Sequence, residues 1–190
     1  FAQAPMADVT DAAFRRIIAK YGKPDVMWTE FVSADGVCSA GRDALLPSLW
    51  FTDAERPIVA QIFSADPGKI REAAALVREL GFDGVDINMG CPDKNVVKQG
   101  AGAALIKTPK VAQEVIRAAR DGVRSAGRRI PVSVKTRIGD AKDALAEWLP
   151  YLLETEPAAV TVHARTRKEM SKVPARWELV SEAVEIRDRL

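Results

Sequence analysis

Six short apolar, β-branched runs alternate with helical patterns along the whole chain, and this alternation limits the fold more than any other feature. Asp25–Phe31, Pro57–Phe63, Gly84–Met89, Pro131–Thr136 and Ala158–His163 read as strands, and Ala2–Met6 reads as the tail of one more. Amphipathic stretches lie between them: Asp11–Lys20 behind Thr10 as N-cap, Pro67–Leu80 behind Asp66, Pro109–Ser125 behind Thr108 and stopping before Gly127, Ala141–Glu154, and Trp177–Leu190. Proline at a first helical position and glycine after the last match the usual helix boundaries. Pro150 is expected to kink or end the fourth of these helices, and Ala34–Leu46 holds room for a short extra one. The strands are too apolar to keep one wet face, so they predict a parallel sheet covered by helices. About six strand–helix units in 190 residues fit an incomplete (β/α)8 TIM barrel, since a complete one takes roughly 250 residues. An open doubly wound sheet is disfavoured because no glycine-rich dinucleotide turn follows the first strand.

Composition sets the outer bounds. A hydrophobic fraction of 47% with 28% charged residues is that of an ordinary globular protein, and no apolar run is long enough to span a bilayer. Cys38 and Cys91 form neither a disulfide framework nor a metal-ligand spacing, and a single histidine excludes a His-rich metal site. This cysteine usage fits a reducing cytoplasm. The net charge of +2 gives no argument for nucleic acid. One local stretch does: Arg165, Arg167, Lys168, Lys172 and Arg176 face only Glu169 in sequence. It reads either as a solvated loop, which charge alone favours, or as a phosphate-contacting patch.

Barrels of this kind carry their sites at the C-terminal ends of the strands. That rule selects Pro5-Met6-Ala7, Glu30, Gln61, Asn88 with Cys91, Lys135 with Arg137, and His163 with Arg165. The set has no carboxylate pair for glycoside hydrolysis and no carboxylate cluster for Mg²⁺. Amides, cations, an imidazole and a thiol around one pocket suit an anionic, hydrogen-bonding heterocycle. Cys91 could be a small buried apolar residue, the commoner fate of cysteines, but its Asn/Gly/Pro turn after a strand weakens that reading, and a free thiol with a pKa near 8.5 is mostly protonated at neutral pH. It can act as a general acid on geometry alone. Gln61 could equally be a core-edge glutamine bonded to backbone, Glu30 could pair with a nearby cation, and Cys38 reads as a small buried residue. Gly100-Ala101-Gly102-Ala103 is either an anion-binding turn or the turn that starts a helix.

Ala4-Pro5-Met6 with Thr10-Asp11 and Phe14-Arg15, Thr29-Glu30, Gln61-Ile62-Phe63, Asp86 to Pro92, Val134 to Gly139 and His163 to Arg167 appear in an order that resembles the tRNA-dihydrouridine synthases. The resemblance implies a barrel domain over residues 1–190 that binds FMN, uses NADPH as reductant and acts on tRNA. It implies that Pro5, Met6 and Ala7 line the flavin, that Gln61 hydrogen-bonds its ring, and that Lys135 sits at the N1–C2 edge with His163 as a further contact. Asn88 and Arg137 would hold the uracil or its ribose phosphate, Arg165 would open the basic stretch facing tRNA phosphates, and Cys91 would protonate C5. It also implies that the chain begins inside a longer one and stops short of the last two barrel units and a helical RNA-binding domain. Two other classes stay open at this point: a dihydroorotate-dehydrogenase-like flavin barrel with a related Cys-Pro turn, and a barrel remnant that binds RNA without catalysis. A phosphate-binding isomerase on the same fold is a third.

Overall fold

The computed structural model of the protein describes residues 1–124 and 129–190, so the expected helix end at Ser125 and stop at Gly127 lie outside the described residues. Five strands form one parallel sheet among those residues: β1 Met27–Ser33, β2 Ile58–Phe63, β3 Gly84–Met89, β4 Val132–Arg137 and β5 Ala159–His163. They pair strictly in chain order, β1-β2-β3-β4-β5. A doubly wound sheet reverses its strand order at a switch point. Unbroken sequential order is the winding of a barrel, so the chain is an arc of a (β/α)8 barrel. The expected first strand reduces to one bridge, Ala2 to Val26, because the following residues turn away to bond Met6 O with Val9 N and Thr10 N.

Helices α1 Ala12–Gly22, α2 Ala34–Val37, α3 Arg42–Leu45, α4 Pro67–Glu79, α5 Lys94–Lys98, α6 Pro109–Gly122, α7 Leu145–Leu153 and α8 Glu178–Arg189 connect and cover the strands. In α4, Ile70, Ala73, Ala74 and Val77 are buried, and in α6, Ala112, Val115, Ile116 and Ala119. Both sets follow the i, i+3, i+4, i+7 stripe of a helix with one core face. They join Ile58, Ala60, Ile62, Val85, Ile87, Met89, Val132 and Val134 in the main core. Every second strand residue therefore faces the helices. The intervening residues Gln61, Asp86, Asn88, Ser133 and Lys135 face the barrel interior, in a register that pairs Gln61 with Asp86, Asp86 with Ser133, and Asn88 with Lys135.

Three local expectations change. Asp11, not Thr10, caps α1, its side chain accepting from Phe14 N. Thr10 instead closes the preceding turn by bonding both Met6 N and Met6 O. The fourth helix starts at Leu145 because Ala144 N folds back onto Ile138 O, and it continues past Pro150 to Leu153, carried by buried Leu145, Trp148, Leu149 and Leu152. No helix among the described residues is long and apolar enough to cross a membrane.

Candidate active site

A cavity of about 320 Å³ opens at the C-terminal ends of β1 to β5, at the low end of the range for small-ligand sites. Its walls are Ala4, Pro5, Met6, Phe31, Gln61, Asn88, Gly90, Cys91, Pro92, Lys135, Arg137 and His163. Of the sequence-selected residues, Pro5, Met6, Gln61, Asn88, Cys91, Lys135, Arg137 and His163 thus meet in one place. Ala7 does not line it and is exposed. Arg165 stands at its edge, 3.0 Å from His163 Nε2 through Nη1. Among the described residues Glu30 pairs with no cation; its Oε1 accepts from Asp8 N at 2.5 Å and ties down the loop that brings Pro5 and Met6 over the sheet. Arg15 and Glu55, both fully buried, form an ion pair of 2.7 Å beneath that loop, and Arg15 also donates to Thr10 O.

Cys91 is held from both sides of its peptide. Asn88 Oδ1 accepts from Gly90 N at 3.0 Å and from Cys91 N at 2.8 Å, and Cys91 O accepts from Ala103 N at 3.0 Å. The Gly100–Ala103 turn therefore backs the cysteine, with its Ala103 amide spent on that contact. Burial pushes the Cys91 thiol up; the Asp93 amide, Arg137 and Lys135 oppose it without reversing it. The group is a thiol at neutral pH.

Lys135 donates no hydrogen bond to protein among the described residues, and burial lowers its pKa against the support of Asp86. His163 is pushed down to about 4, by burial first and then by Arg137, Lys135 and Arg165. It is neutral at physiological pH. A guanidinium has no acceptor, so the contact with Arg165 makes Nε2 the bare nitrogen and puts the ring proton on Nδ1.

Arg137 is more occupied than its sequence position indicates. Its Nε donates to Gly90 O at 2.8 Å, and its Nη1 to Thr166 O at 3.2 Å and Met170 O at 2.9 Å. It is a strut between the cysteine turn and the loop after β5. The basic stretch is likewise largely committed: Arg165 Nε bonds Val173 O, Arg167 pairs with Asp140, and Arg176 pairs with Glu169. Lys168 and Lys172 are exposed.

Sequence reasoning selected neither Phe31 of the lining nor Asp86 beneath it. Asp86 is 1% exposed and is pushed up to about 6, by burial against the opposing hydrogen bonds of Gln61 and Ser133 and the charge of Lys135. A charged residue at an inward position of a strand that is otherwise core was the available signal.

Fold and cavity define a (β/α)-barrel protein with a thiol, an ammonium and an imidazole converging at the strand-end rim. A family model described as dihydrouridine synthase (Dus) matches residues 2–188. The probable tRNA-dihydrouridine synthase 2 of Bacillus subtilis (strain 168) is 45% identical over 192 aligned positions, covering 100% of this chain and 57% of the relative. The probable tRNA-dihydrouridine synthase of Staphylococcus aureus (strain COL) is 42% identical, with the same coverage of 100% and 57%. The chain belongs to the dihydrouridine synthase family, and it spans little more than half the length of these relatives. Membership in this family sets the chain apart from the dihydroorotate-dehydrogenase-like reading.

Proposed function

We propose that the full-length protein is a flavin-dependent oxidoreductase that reduces the C5–C6 bond of uridine in tRNA, with FMN as its redox group and NADPH as reductant. The observation that carries this reading is the meeting of Cys91, Lys135 and His163 on one cavity with Gln61. The lining fits a flavin ring: it holds two cations and a neutral imidazole, no carboxylate, and amide groups for the edge of a heterocycle. Lys135, which donates to no protein acceptor among the described residues, would meet the negative charge of a reduced ring at its N1–C2 edge. Pro5 and Met6 would cover one side, Gln61 would bond the ring edge, and His163 would offer Nδ1–H as a neutral donor.

The chemistry a flavin held by Pro5, Met6, Gln61, Lys135 and His163 would supply is hydride for uracil C6. Cys91 Sγ–H gives its proton to C5, which leaves a thiolate to be reprotonated from solvent. The raised pKa of the buried thiol suits an acid that must stay protonated until hydride arrives. Arg137 and Asn88 act here by shaping the turn that carries Cys91, and their remaining N–H groups would hold the base or its ribose phosphate. The target base must leave its stack, at a cost of about a few kcal/mol. Arg165, Lys168 and Lys172, on the loop that Arg137 anchors, would offset part of that through phosphate contacts.

The test is direct. Purified full-length protein should be yellow, release FMN on denaturation, and convert uridine to dihydrouridine in unmodified tRNA when NADPH is supplied. Protein that stays colourless with added FMN, or a loaded protein that leaves tRNA unreduced, would defeat the proposal.

A further inference from the structure

At the cavity floor, three inward-facing side chains of β2 and β3, Asp86 beneath and Gln61 and Asn88 in the lining, form a directed chain that ends on the backbone of Cys91. Asp86 Oδ2 accepts from Gln61 Nε2 at 2.6 Å, and Asp86 Oδ1 accepts from Ser133 Oγ at 2.5 Å. Gln61 Oε1 accepts from Asn88 Nδ2 at 2.9 Å. Asn88 Oδ1 then accepts from Gly90 N and Cys91 N. Asp86 itself does not line the cavity.

We propose that Asp86 is a positioning residue for Cys91, acting through Gln61 and Asn88 on the turn that carries the thiol. The inference rests on the acid role given to Cys91 above. Its physical basis is the one-way chemistry of a carboxylate, which when ionised only accepts hydrogen bonds. Asp86 therefore compels Gln61 to present its nitrogen, and this leaves the Gln61 oxygen for Asn88. Asn88 must then turn its nitrogen to Gln61 and its oxygen to the Cys91 turn. Each amide could otherwise sit in two orientations, and only one of them holds the cysteine peptide. The strand register supports the link: Gln61 and Ser133 are the two direct neighbours of Asp86 on the flanking strands, so the contact depends on no long or mobile side chain.

Two substitutions separate direction from charge. Asparagine at position 86 can keep the chain running the same way. Its amide oxygen takes the Gln61 N–H, and its nitrogen faces Ser133 Oγ, whose proton can turn to Val85 O at 3.5 Å. Leucine has the same branched skeleton, somewhat larger, and can accept nothing.

The test uses the full-length protein and reads the thiol itself. Iodoacetamide labelling of Cys91 is followed by peptide mass with Cys38 as internal reference, alongside flavin content and single-turnover reduction of tRNA by prereduced enzyme. In Asp86→Leu, labelling of Cys91 relative to Cys38 should rise about tenfold and single-turnover rate fall about a hundredfold, while Asp86→Asn stays within about threefold of wild type in both. Flavin content should hold in both variants, as it would not if Asp86 merely kept the barrel together. Unchanged Cys91 labelling in Asp86→Leu overturns the inference, and so does an Asp86→Asn variant as impaired as Asp86→Leu. Should Asp86→Leu not fold, Gln61→Met cuts the same chain one link on, and an unaltered Cys91 labelling rate there overturns it equally. Wild-type protein that reduces no tRNA, yet shows the labelling difference, would refute the proposed reaction and leave the positioning role standing.

Discussion

Gly102 and Gly100 lie two residues apart in the turn behind Cys91, and replacing each by alanine should have different consequences. Both have positive φ, +59° at Gly102 and +77° at Gly100. Left-handed backbone costs a residue with a Cβ about 1–2 kcal/mol, so both variants carry that loss. The surroundings then separate them. A Cβ on Gly100 meets only Ala65 Cβ at 3.5 Å, an ordinary contact. A Cβ on Gly102 falls 2.8 Å from Val96 Cγ1, 2.9 Å from Cys91 O and 3.2 Å from Cys91 Cβ. One of those neighbours is backbone and cannot swing aside, so Cys91 must move. Overpacking of this kind costs about 1–3 kcal/mol more. Gly100→Ala should therefore lose about 1–2 kcal/mol and Gly102→Ala about 2–5 kcal/mol in urea unfolding of the full-length protein. Displacing the acid should also slow single-turnover uridine reduction in Gly102→Ala by about a hundredfold, with Gly100→Ala near wild type. Equal losses of stability in the two, or a wild-type rate in Gly102→Ala, would show that this turn does not set the position of Cys91.

Three further outcomes are expected. Cys91→Ala should lower uridine reduction by about 10²–10⁴-fold with flavin content unchanged, and equal rates in mutant and wild type would exclude the acid role. Lys135→Ala should weaken FMN retention or slow its reduction by NADPH; unchanged flavin content and an unchanged reductive half-reaction would count against the assignment. The third is a stability–pH effect. Burial raises Asp86 from 3.8 to about 6 in the folded state, so its contribution is fully present at low pH and is lost as pH rises through that window. The amount is roughly 3 kcal/mol at 1.36 kcal/mol per pKa unit. His163 is lowered from 6.5 to about 4, so its contribution is present at neutral pH and is lost as pH falls through nearly the same window. The two oppose each other. In Asp86→Asn only the His163 loss remains, so acidification from about pH 7 to about pH 4.5 should destabilise the variant by about 2 kcal/mol more than wild type, the part of the Asp86 contribution gained between about pH 6 and about pH 4.5. Parallel stability curves from urea titrations at the two pH values would contradict the raised carboxyl.

The strands were legible because both of their faces are specified: an apolar position every second residue for the helices, and a polar strand end for the site. The same pattern hid Asp86. In Gly84-Val85-Asp86-Ile87-Asn88-Met89 it looks like one polar interruption, and its partners Gln61 and Ser133 lie 25 and 47 residues away in sequence. Only strand register brings them together. Arg137 was legible as a site residue, whereas its three backbone acceptors were not, because Thr166 and Met170 come from a loop with no periodicity. The partners of the basic stretch were hidden in the same way. Charge counted along the chain showed Glu169 alone opposing five cations, but Asp140, folded in from the loop after β4, pairs with Arg167. The short α5 and the turn after it follow from Asp93, whose carboxylate caps Asn95 N and Val96 N.

The two faces of the same strands carry separable burdens. Outward residues such as Ile87 and Val134 are wholly buried against helices, and truncating them should cost stability as any core cavity does. Inward residues make their contacts to one another and to loops at the strand ends. Gln61, Asp86, Asn88 and Ser133 hold a connected polar layer in which each heavy polar contact named above fixes the next. Such a layer adds little net stability, since a buried carboxyl raised to about 6 is itself a cost at neutral pH. What it provides is a fixed direction for every amide beneath the cavity. Selection for stability alone would replace Asp86 by an apolar residue that matches the outward face. A buried carboxyl beneath Cys91 fits a site in which the position of a thiol matters more than those few kilocalories.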